Sequence, residues 1–204
     1  MKKIFKAIIF DIGGVLLRNI DTAPREAMAK RFGTTRKELE KYVFHGPTSL
    51  QSEIGQVSDI YHWQTVLEHF GQTSADPFEV YAEYFSGDAI DQDLLDYAES
   101  LKPKYKIGLL SNAWVDSRIK LGSLFSFIEV FNVAIFSAEV KARKPDKEIF
   151  QLMLGKLKVK PEESIFIDDF IENIEGAKKL GINTILFKNT QETIHQIKNM
   201  LKSE

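Results

Sequence analysis

Residues 4–15 read Ile-Phe-Lys-Ala-Ile-Ile-Phe-Asp-Ile-Gly-Gly-Val: an apolar run, Ile4–Phe10, that stops at Asp11 and a pair of glycines. A short run that is apolar at almost every position is typical of a strand buried on both faces of a parallel sheet. Similar runs follow at Lys106–Leu110, Phe131–Phe136, Ser164–Ile167 and Thr184–Phe187. The chain is therefore predicted to build a parallel sheet.

Helical patterns separate the later strands. They lie at Val115–Leu124, Asp146–Lys156, Ile171–Leu180 and Gln191–Leu201, and Gly181 is placed to end the third. Strands that alternate with helices in this way are typical of a doubly wound α/β sheet, which is the fold class that the sequence predicts.

The segment between the first two strands has a different character. It contains no comparable apolar run but carries helical patterns at Ala23–Phe32, Arg36–Phe44 and Asp59–Phe70. Ser58 is placed to cap the last of these, and Gly33 and Gly71 to end the first and third. We expect an α/β core of residues 1–16 and 89–204, re-entered through a helix at Gln92–Leu101, with a helical insertion over residues 17–88.

The composition is that of a globular protein and excludes several classes of function. Hydrophobic residues make up 44% of the chain, and 27 basic against 29 acidic residues give a net charge of −2. This balance excludes a nucleic-acid binder held by bulk charge, and a cysteine count of 0 excludes disulfides and thiolate chemistry. No run reaches the ~20 apolar residues of a membrane span, and the N-terminal run is too short for a secretory signal. We expect a cytoplasmic protein without membrane or nucleic-acid partners; monomer and homodimer both remain open.

Polar side chains follow four of the predicted strands. They are Asp11 after the first, Ser111 and Asn112 after the second, Lys144 past the third, and Asp168 and Asp169 after the fourth, with Asn173 one helical turn beyond Asp169. In open parallel sheets ligands bind at the carboxyl ends of the strands. These side chains are therefore expected to meet at one edge of the sheet.

Each motif also has an ordinary structural explanation. Asp-x-Gly-Gly is commonly a turn, Ser-Asn is common in loops, and the aspartate pair would cap a helix. Lys144 would be a solvated charge before a helix with Pro145 in its first position. Together the motifs are harder to explain in this way, because three carboxylates beside one ammonium leave about two uncompensated negative charges. Such a cluster needs raised pKa values or a cation, and oxygen ligands without cysteine favour Mg²⁺ over zinc.

The order of these motifs resembles that of the haloacid dehalogenase (HAD) superfamily, whose hydrolases use an aspartate nucleophile, and the resemblance covers the whole chain. The motifs are specific only in combination. The helical insertion is similar to the C1-type cap of that family. The residues around the motifs, such as Phe10–Leu16 and Phe166–Ala177, look like the bacterial α-D-glucose-1-phosphatase-like and epoxide-hydrolase-N-terminal-like branch.

The resemblance implies a Mg²⁺-dependent phosphatase of small phosphomonoesters, with sugar phosphates such as glucose 1-phosphate as candidate substrates. Asp11 would be the nucleophile that forms an aspartyl-phosphate. Asp11, the backbone carbonyl of Gly13 and Asp169 would bind Mg²⁺. Asp168 would be a further ligand or would orient the water molecules bound to the metal. Asn173 would orient those waters without binding the metal itself.

The same resemblance assigns the phosphate contacts and the lid. Ser111, the backbone of Asn112 and Lys144 would hold the phosphoryl oxygens as charge redistributes, so that Lys144 counts as catalytic with Asp11. The insertion would close over the leaving group of a small phosphorylated metabolite. Residues of this kind more often pack inside a domain than contact a substrate. The polar and aromatic residues of the insertion that could contact the substrate are Phe44, His45, Glu53, Tyr61 and Trp63.

Gly13 departs from the family pattern. Phosphatases of this superfamily usually carry a second aspartate here, which protonates the leaving oxygen and later activates water. General acid–base catalysis is typically worth about 10²–10⁴-fold. Its loss should matter least for good leaving groups such as anomeric hydroxyls. We also expect Gly13 to adopt a positive φ, which a β-carbon disfavours.

Two other functions stay open. A metal-independent 2-haloacid dehalogenase would form an ester on carbon, but the Asp168-Asp169 pair argues against it, and dehalogenases usually have an aromatic residue at position 13. A weakly active or non-catalytic phosphate-binding relative would have lost turnover with the acid. Halide release without Mg²⁺ would indicate the first, and stable phosphorylation of Asp11 the second.

Overall fold

The computed structural model describes residues 4–124 and 127–202, which fold around a parallel sheet. The strands in chain order are β1 (Ala7–Phe10), β2 (Leu17–Asn19), β3 (Asp88–Ile90), β4 (Lys106–Ser111), β5 (Val133–Phe136), β6 (Ser164–Asp168) and β7 (Asn183–Leu186). Five of them form the main sheet in the order β5-β4-β1-β6-β7, and every neighbouring pair is parallel. β2 and β3 form a separate antiparallel pair.

The helices lie on both faces of this sheet and in the insertion. They are α1 (Ala23–Arg31), α2 (Arg36–His45), α3 (Pro47–Glu53), α4 (Asp59–His69), α5 (Pro77–Phe85), α6 (Gln92–Leu101), α7 (Ser117–Leu124), α8 (Ser137–Val140), α9 (Lys147–Leu157), α10 (Ile171–Lys179) and α11 (Thr190–Lys202). The predicted fold class, a doubly wound α/β sheet with a helical insertion, is confirmed. No helix in the described ranges is both long enough and apolar enough to cross a bilayer.

The central strand explains why the apolar runs are continuous. Successive side chains of a strand point to opposite faces, and in β1 Ile8 and Phe10 join one hydrophobic cluster while Ala7 and Ile9 join the other. All four are at most 1% exposed. Because both faces are covered, no position in the strand is left for a polar residue until Asp11.

The insertion has a hydrophobic cluster of its own. Helices α1, α2, α4 and α5 contribute its buried residues, Trp63 and Tyr84 among them. Ser58 caps α4 by accepting a hydrogen bond from the backbone of Tyr61, and Gly33 and Gly71 adopt positive φ just after α1 and α4. The division of the chain into two domains at residues 16/17 and 88/89 stays a prediction, although β2 and β3 pair at these junctions.

Candidate active site

Three carboxylates and one ammonium meet at the carboxyl edge of the sheet. Asp11 follows β1, Asp168 is the last residue of β6 and Asp169 comes next, while Lys144 enters from the loop between α8 and α9. The Lys144 Nζ lies 2.7 Å from Asp11 Oδ1 and 2.6 Å from Asp168 Oδ2. The fold therefore brings together residues that are up to 158 positions apart in the chain (169 − 11).

Lys144 is 1% exposed, so its interpretation as a solvated charge is wrong. Pro145 does not begin a helix either, because α9 starts at Lys147. Burial alone would lower the pKa of Lys144, but the attraction of Asp11 and Asp168 outweighs it and raises the pKa above its usual value. Lys144 is therefore a fixed cation beneath the site.

Asp168 is the hydrogen-bonding centre of the cluster. Its Oδ1 accepts from the backbone N–H of Phe170 (2.8 Å) and its Oδ2 from Lys144 (2.6 Å). Asn173 Nδ2 donates to both oxygens, at 3.0 and 3.1 Å. Asp168 is fully buried, and both of its oxygens are engaged in hydrogen bonds to Lys144, Asn173 and the Phe170 backbone.

Asp169 differs from its neighbour because it has a free oxygen. Its Oδ1 is buried and has no hydrogen-bond partner in the described part of the chain. Burial first, and then the charge of Asp168, raise the pKa of Asp169 to about 6. The carboxylate lies against Gly14, at which a β-carbon would come within 2.1 Å of Asp169 Oδ2. Gly14 also has a φ of 76°, so that both the space and the backbone conformation require glycine.

The cluster fits a hard divalent cation. Ligand oxygens of Asp11, Asp168 and Asp169 lie within 4.8 Å of one another. Burial raises the pKa of Asp11 well above its usual range, and Lys144 only partly opposes this rise. Three carboxylates against one ammonium leave about two negative charges uncompensated, and a purely carboxylate donor set suits Mg²⁺. Asp11 and Asp169 are the side chains best placed to bind it.

Gly13 is exposed, and nothing lies within 4 Å of a β-carbon built on it. Among these two glycines it is Gly14, not Gly13, that has the positive φ. The expectation that Gly13 would be conformationally strained is therefore wrong. The side-chain space at position 13 is open, and the backbone conformation there does not require glycine.

The loop after β4 is tied to the loop that carries Lys144. The Asn112 side chain accepts from the Lys144 backbone N–H at 2.8 Å and donates to the Lys144 carbonyl at 2.9 Å. Ala113 N donates to Ser137 Oγ at 2.9 Å. Ser111 is 4% exposed at the end of β4. The amide of Asn112 is thus occupied in joining two loops, and its backbone carbonyl accepts a hydrogen bond from Ser111 Oγ at 3.3 Å.

Three contacts between the insertion and the core were not predicted from the sequence. Trp114, which follows the β4 loop, enters the insertion's hydrophobic cluster and donates from Nε1 to Ser49 Oγ at 3.0 Å. Lys120 Nζ lies 2.8 Å from the buried Asp59. The third is an ion pair of Glu53 with Arg143. Each pair is remote in sequence, and of these six residues the sequence pointed only to Glu53.

The cap residues singled out from the sequence divide into packing and surface positions. Trp63 is 1% exposed and belongs to the insertion's core, and Phe44 stacks on Trp114. Tyr61 is 50% exposed. The His45 ring lies 6.0 Å from that of Phe170, which follows the aspartate pair. Glu53 and His45 are the polar residues of this set that approach loops of the core.

Known proteins resemble the chain over most of its length. A family model described as haloacid dehalogenase-like hydrolase matches residues 5–181. The chain is 29% identical over 127 residues to bifunctional epoxide hydrolase 2 of Mus musculus, which is 60% of this chain but 23% of that protein. It is 25% identical over 213 residues to the D-ribitol-5-phosphate phosphatase of Bacteroides thetaiotaomicron, covering 97% of this chain and 99% of that one.

A solved structure of the same family is also similar to the chain. The chain is 29% identical to a HAD family enzyme of Bacteroides thetaiotaomicron whose structure is a complex with magnesium and inorganic phosphate. The match covers 90% of this chain and 94% of that one, with a TM-score of 0.74.

Proposed function

Because the chain belongs to the haloacid dehalogenase-like hydrolases, we propose that it is a Mg²⁺-dependent phosphatase of small phosphorylated metabolites, with sugar or polyol phosphates as substrates. The observation that carries this proposal is the buried Asp11–Lys144–Asp168 pairing beside an Asp169 oxygen that lacks a partner. The relatives support it, since one is a D-ribitol-5-phosphate phosphatase and one binds magnesium with phosphate.

Asp11 is the nucleophile in this mechanism. One of its oxygens forms a bond to phosphorus while the bond from phosphorus to the ester oxygen breaks, which gives an aspartyl-phosphate and an alkoxide. Because position 13 carries no side-chain acid, the alkoxide takes a proton from water to become the alcohol. Water then attacks phosphorus and releases phosphate and free Asp11. The Lys144 ammonium, 2.7 Å from Asp11 Oδ1, orients the carboxylate and stabilises its ionised form.

The other residues hold the phosphoryl group and the metal. Ser111 and the backbone after β4 donate to the phosphoryl oxygens, as does Lys144, which is the positioning that dominates phosphoryl transfer. Asp11, the carbonyl of Gly13 and Asp169 would hold Mg²⁺, which would screen the carboxylates from an anionic substrate. The hydrogen bonds from Asn173 to Asp168 hold these side chains in position.

A phosphate-release assay tests the proposal. Ribitol 5-phosphate, glucose 1-phosphate and glucose 6-phosphate are compared with and without Mg²⁺ and a chelator. We expect release that needs Mg²⁺ and that falls at least about 10³-fold in Asp11→Asn, the scale seen when a covalent nucleophile is removed. Activity that survives chelation, or halide release from a 2-haloacid without metal, would overturn the proposal in favour of a dehalogenase. Stable phosphorylation of Asp11 without turnover would favour a binding protein.

A further inference from the structure

An ion pair joins the insertion to the loop that carries Lys144. Glu53 is the last residue of α3, and its Oε2 lies 2.6 Å from Nε of Arg143, the residue just before Lys144. The side chain of Glu53 is 12% exposed and that of Arg143 is 31% exposed. Nearby, a β-carbon on Gly55 would meet the Ala138 carbonyl at 2.6 Å, so the backbones approach closely here. The pair therefore lies at a tight junction of insertion and core.

Each partner of this pair keeps unused hydrogen-bonding groups. In the described part of the chain, the single contact uses Oε2 of Glu53 and Nε of Arg143. The Glu53 Oε1 and both terminal nitrogens of Arg143 have no hydrogen bond within those residues, yet they are not among the buried unpartnered atoms. They are therefore accessible. One carboxylate oxygen of Glu53 and two N–H₂ groups of Arg143 are thus left without a partner within the described residues.

The pair lies next to the site, because Arg143 directly precedes Lys144, whose Nζ lies 2.7 Å from Asp11 Oδ1. Burial raises the pKa of Glu53, and Arg143 and then Lys144 oppose the rise. The Lys144 ammonium is therefore close enough to act on Glu53.

This arrangement suits a hydroxylated ligand. A hydroxyl donates one hydrogen bond and can accept two, so adjacent hydroxyls of a polyol can donate to Glu53 and accept from Arg143. Hydrogen bonds to charged groups are stronger than those between neutral groups. A ligand without hydroxyls offers the pair nothing, and would leave charged groups desolvated without partners.

We infer that the Glu53–Arg143 pair is a specificity-determining site that binds hydroxyl groups of the leaving portion of a polyol or sugar phosphate. This inference rests on the proposed phosphatase function. It assigns the choice between hydroxylated and apolar phosphate esters to one residue of the insertion and one of the core.

The test is the ratio of kcat/KM for ribitol 5-phosphate to that for phenyl phosphate, which has no hydroxyl group. Glu53→Gln keeps the shape of the side chain and one hydrogen bond to Arg143 but removes the charge. We expect this ratio to fall at least about tenfold, as expected for the loss of a charged hydrogen bond, chiefly through KM for the polyol ester. Arg143→Gln should lower the same ratio, and the double variant should lose less than the product of the two, because the residues act as a unit.

A matched control is Glu163→Gln. Glu163 also forms an ion pair at 2.6 Å, with Lys6, but at the amino end of the sheet, and its variant should leave the ratio unchanged. Equal losses on both esters in Glu53→Gln would overturn the inference and mean that the pair only positions Lys144. An unchanged ratio in that variant would overturn it as well. A wild-type protein that releases phosphate from neither ester would instead overturn the proposed function, and this inference with it.

Discussion

The carboxylate of Asp169 is packed against the backbone of Gly14, so closely that a β-carbon at Gly14 would lie 2.1 Å from Asp169 Oδ2. Gly14→Ala must therefore displace the carboxylate that we assign to the metal. It also places alanine at a φ of 76°, a conformation that costs roughly 1–2 kcal/mol for an L-residue. We expect a large loss of Mg²⁺ affinity together with a small loss of stability, measured by calorimetric titration and thermal unfolding.

Gly13→Ala is the matched variant, because nothing lies within 4 Å of a β-carbon there and the φ is not positive. It should change Mg²⁺ affinity far less than Gly14→Ala. Equal effects of the two substitutions would contradict the assignment of Asp169 as the side chain whose position Gly14 permits.

The adjacent aspartates should differ in their effect on stability. Asp168→Ala removes a buried carboxylate from Lys144 and Asn173, and breaking a buried pair typically costs about 3–5 kcal/mol. Asp169→Ala removes a carboxylate whose buried oxygen has no partner in the described ranges, and it relieves repulsion. Urea unfolding in chelator should show a large loss for Asp168→Ala and little or none for Asp169→Ala. Similar losses would mean that Asp169 has a structural role.

The same two variants separate metal binding from folding. Mg²⁺ binds only the folded site and so raises the thermal midpoint of the wild type by mass action. Asp169→Ala should abolish this rise while remaining folded. A wild-type-like response to Mg²⁺ in Asp169→Ala would contradict its role as a ligand.

Local sequence patterns predicted most elements that bury apolar surface, but the helix Pro77–Phe85, which buries Val80 and Tyr84, was missed. The helix Gln92–Leu101 has the predicted bounds, and the strands were found because both faces of the sheet are covered. β2 and β3 were missed because their three residues each are only half-buried and carry no apolar pattern. The helix Pro47–Glu53 was missed because its seven residues are mostly polar.

The site was predictable only to the extent that strand ends define it. Asp11 and Asp168 follow apolar runs directly, so their meeting follows from parallel strands. The position of Trp114 inside the insertion depends on packing between segments that are remote in sequence, and no local pattern encodes that. The pairing of Glu53 with Arg143 across 90 positions is of the same kind.

His62 should make stability depend on pH. It is fully buried in the insertion; its Nε2 lies 3.0 Å from the Val43 carbonyl and its Nδ1 2.8 Å from Thr48 Oγ1. The carbonyl can only accept, so Nε2 carries the hydrogen of the neutral ring. Burial lowers the pKa of His62 from 6.5 to about 4, although the Val43 hydrogen bond and Asp59 oppose this.

A histidine that is harder to protonate when folded destabilises the protein in acid. Above pH 6.5 the histidine is neutral in both the folded and the unfolded state, so it adds no pH dependence to the free energy of unfolding. Between pH 6.5 and 4 the unfolded chain takes up the proton first, so the free energy of unfolding falls by up to about 3 kcal/mol. His62→Gln should remove this part of the slope in urea unfolding, whereas a variant of the exposed His195 should retain it. An unchanged slope in His62→Gln would contradict the buried neutral state.

Gly13 is the position at which the chain departs from its family, and its geometry makes the departure testable. Without a side-chain acid at position 13, rates should fall steeply as the pKa of the leaving group rises, so that aryl and anomeric phosphates react faster than primary alkyl phosphates. Because the space at Gly13 is open and its φ is not positive, Gly13→Asp should be accommodated, at the cost of one more negative charge near Asp11.

That added carboxylate should act as a proton donor and make the dependence shallower, helping the poorest leaving groups most. The measurement is therefore the slope of log kcat/KM against leaving-group pKa in both proteins, since the repulsion lowers the rates for all esters alike. A shallow slope in the wild type would mean that another group already supplies the proton. His45 would then be the first residue to test, because its ring lies 6.0 Å from that of Phe170, beside the aspartate pair. In that case His45→Gln should make the dependence on leaving-group pKa as steep as we expect for a protein without a side-chain acid.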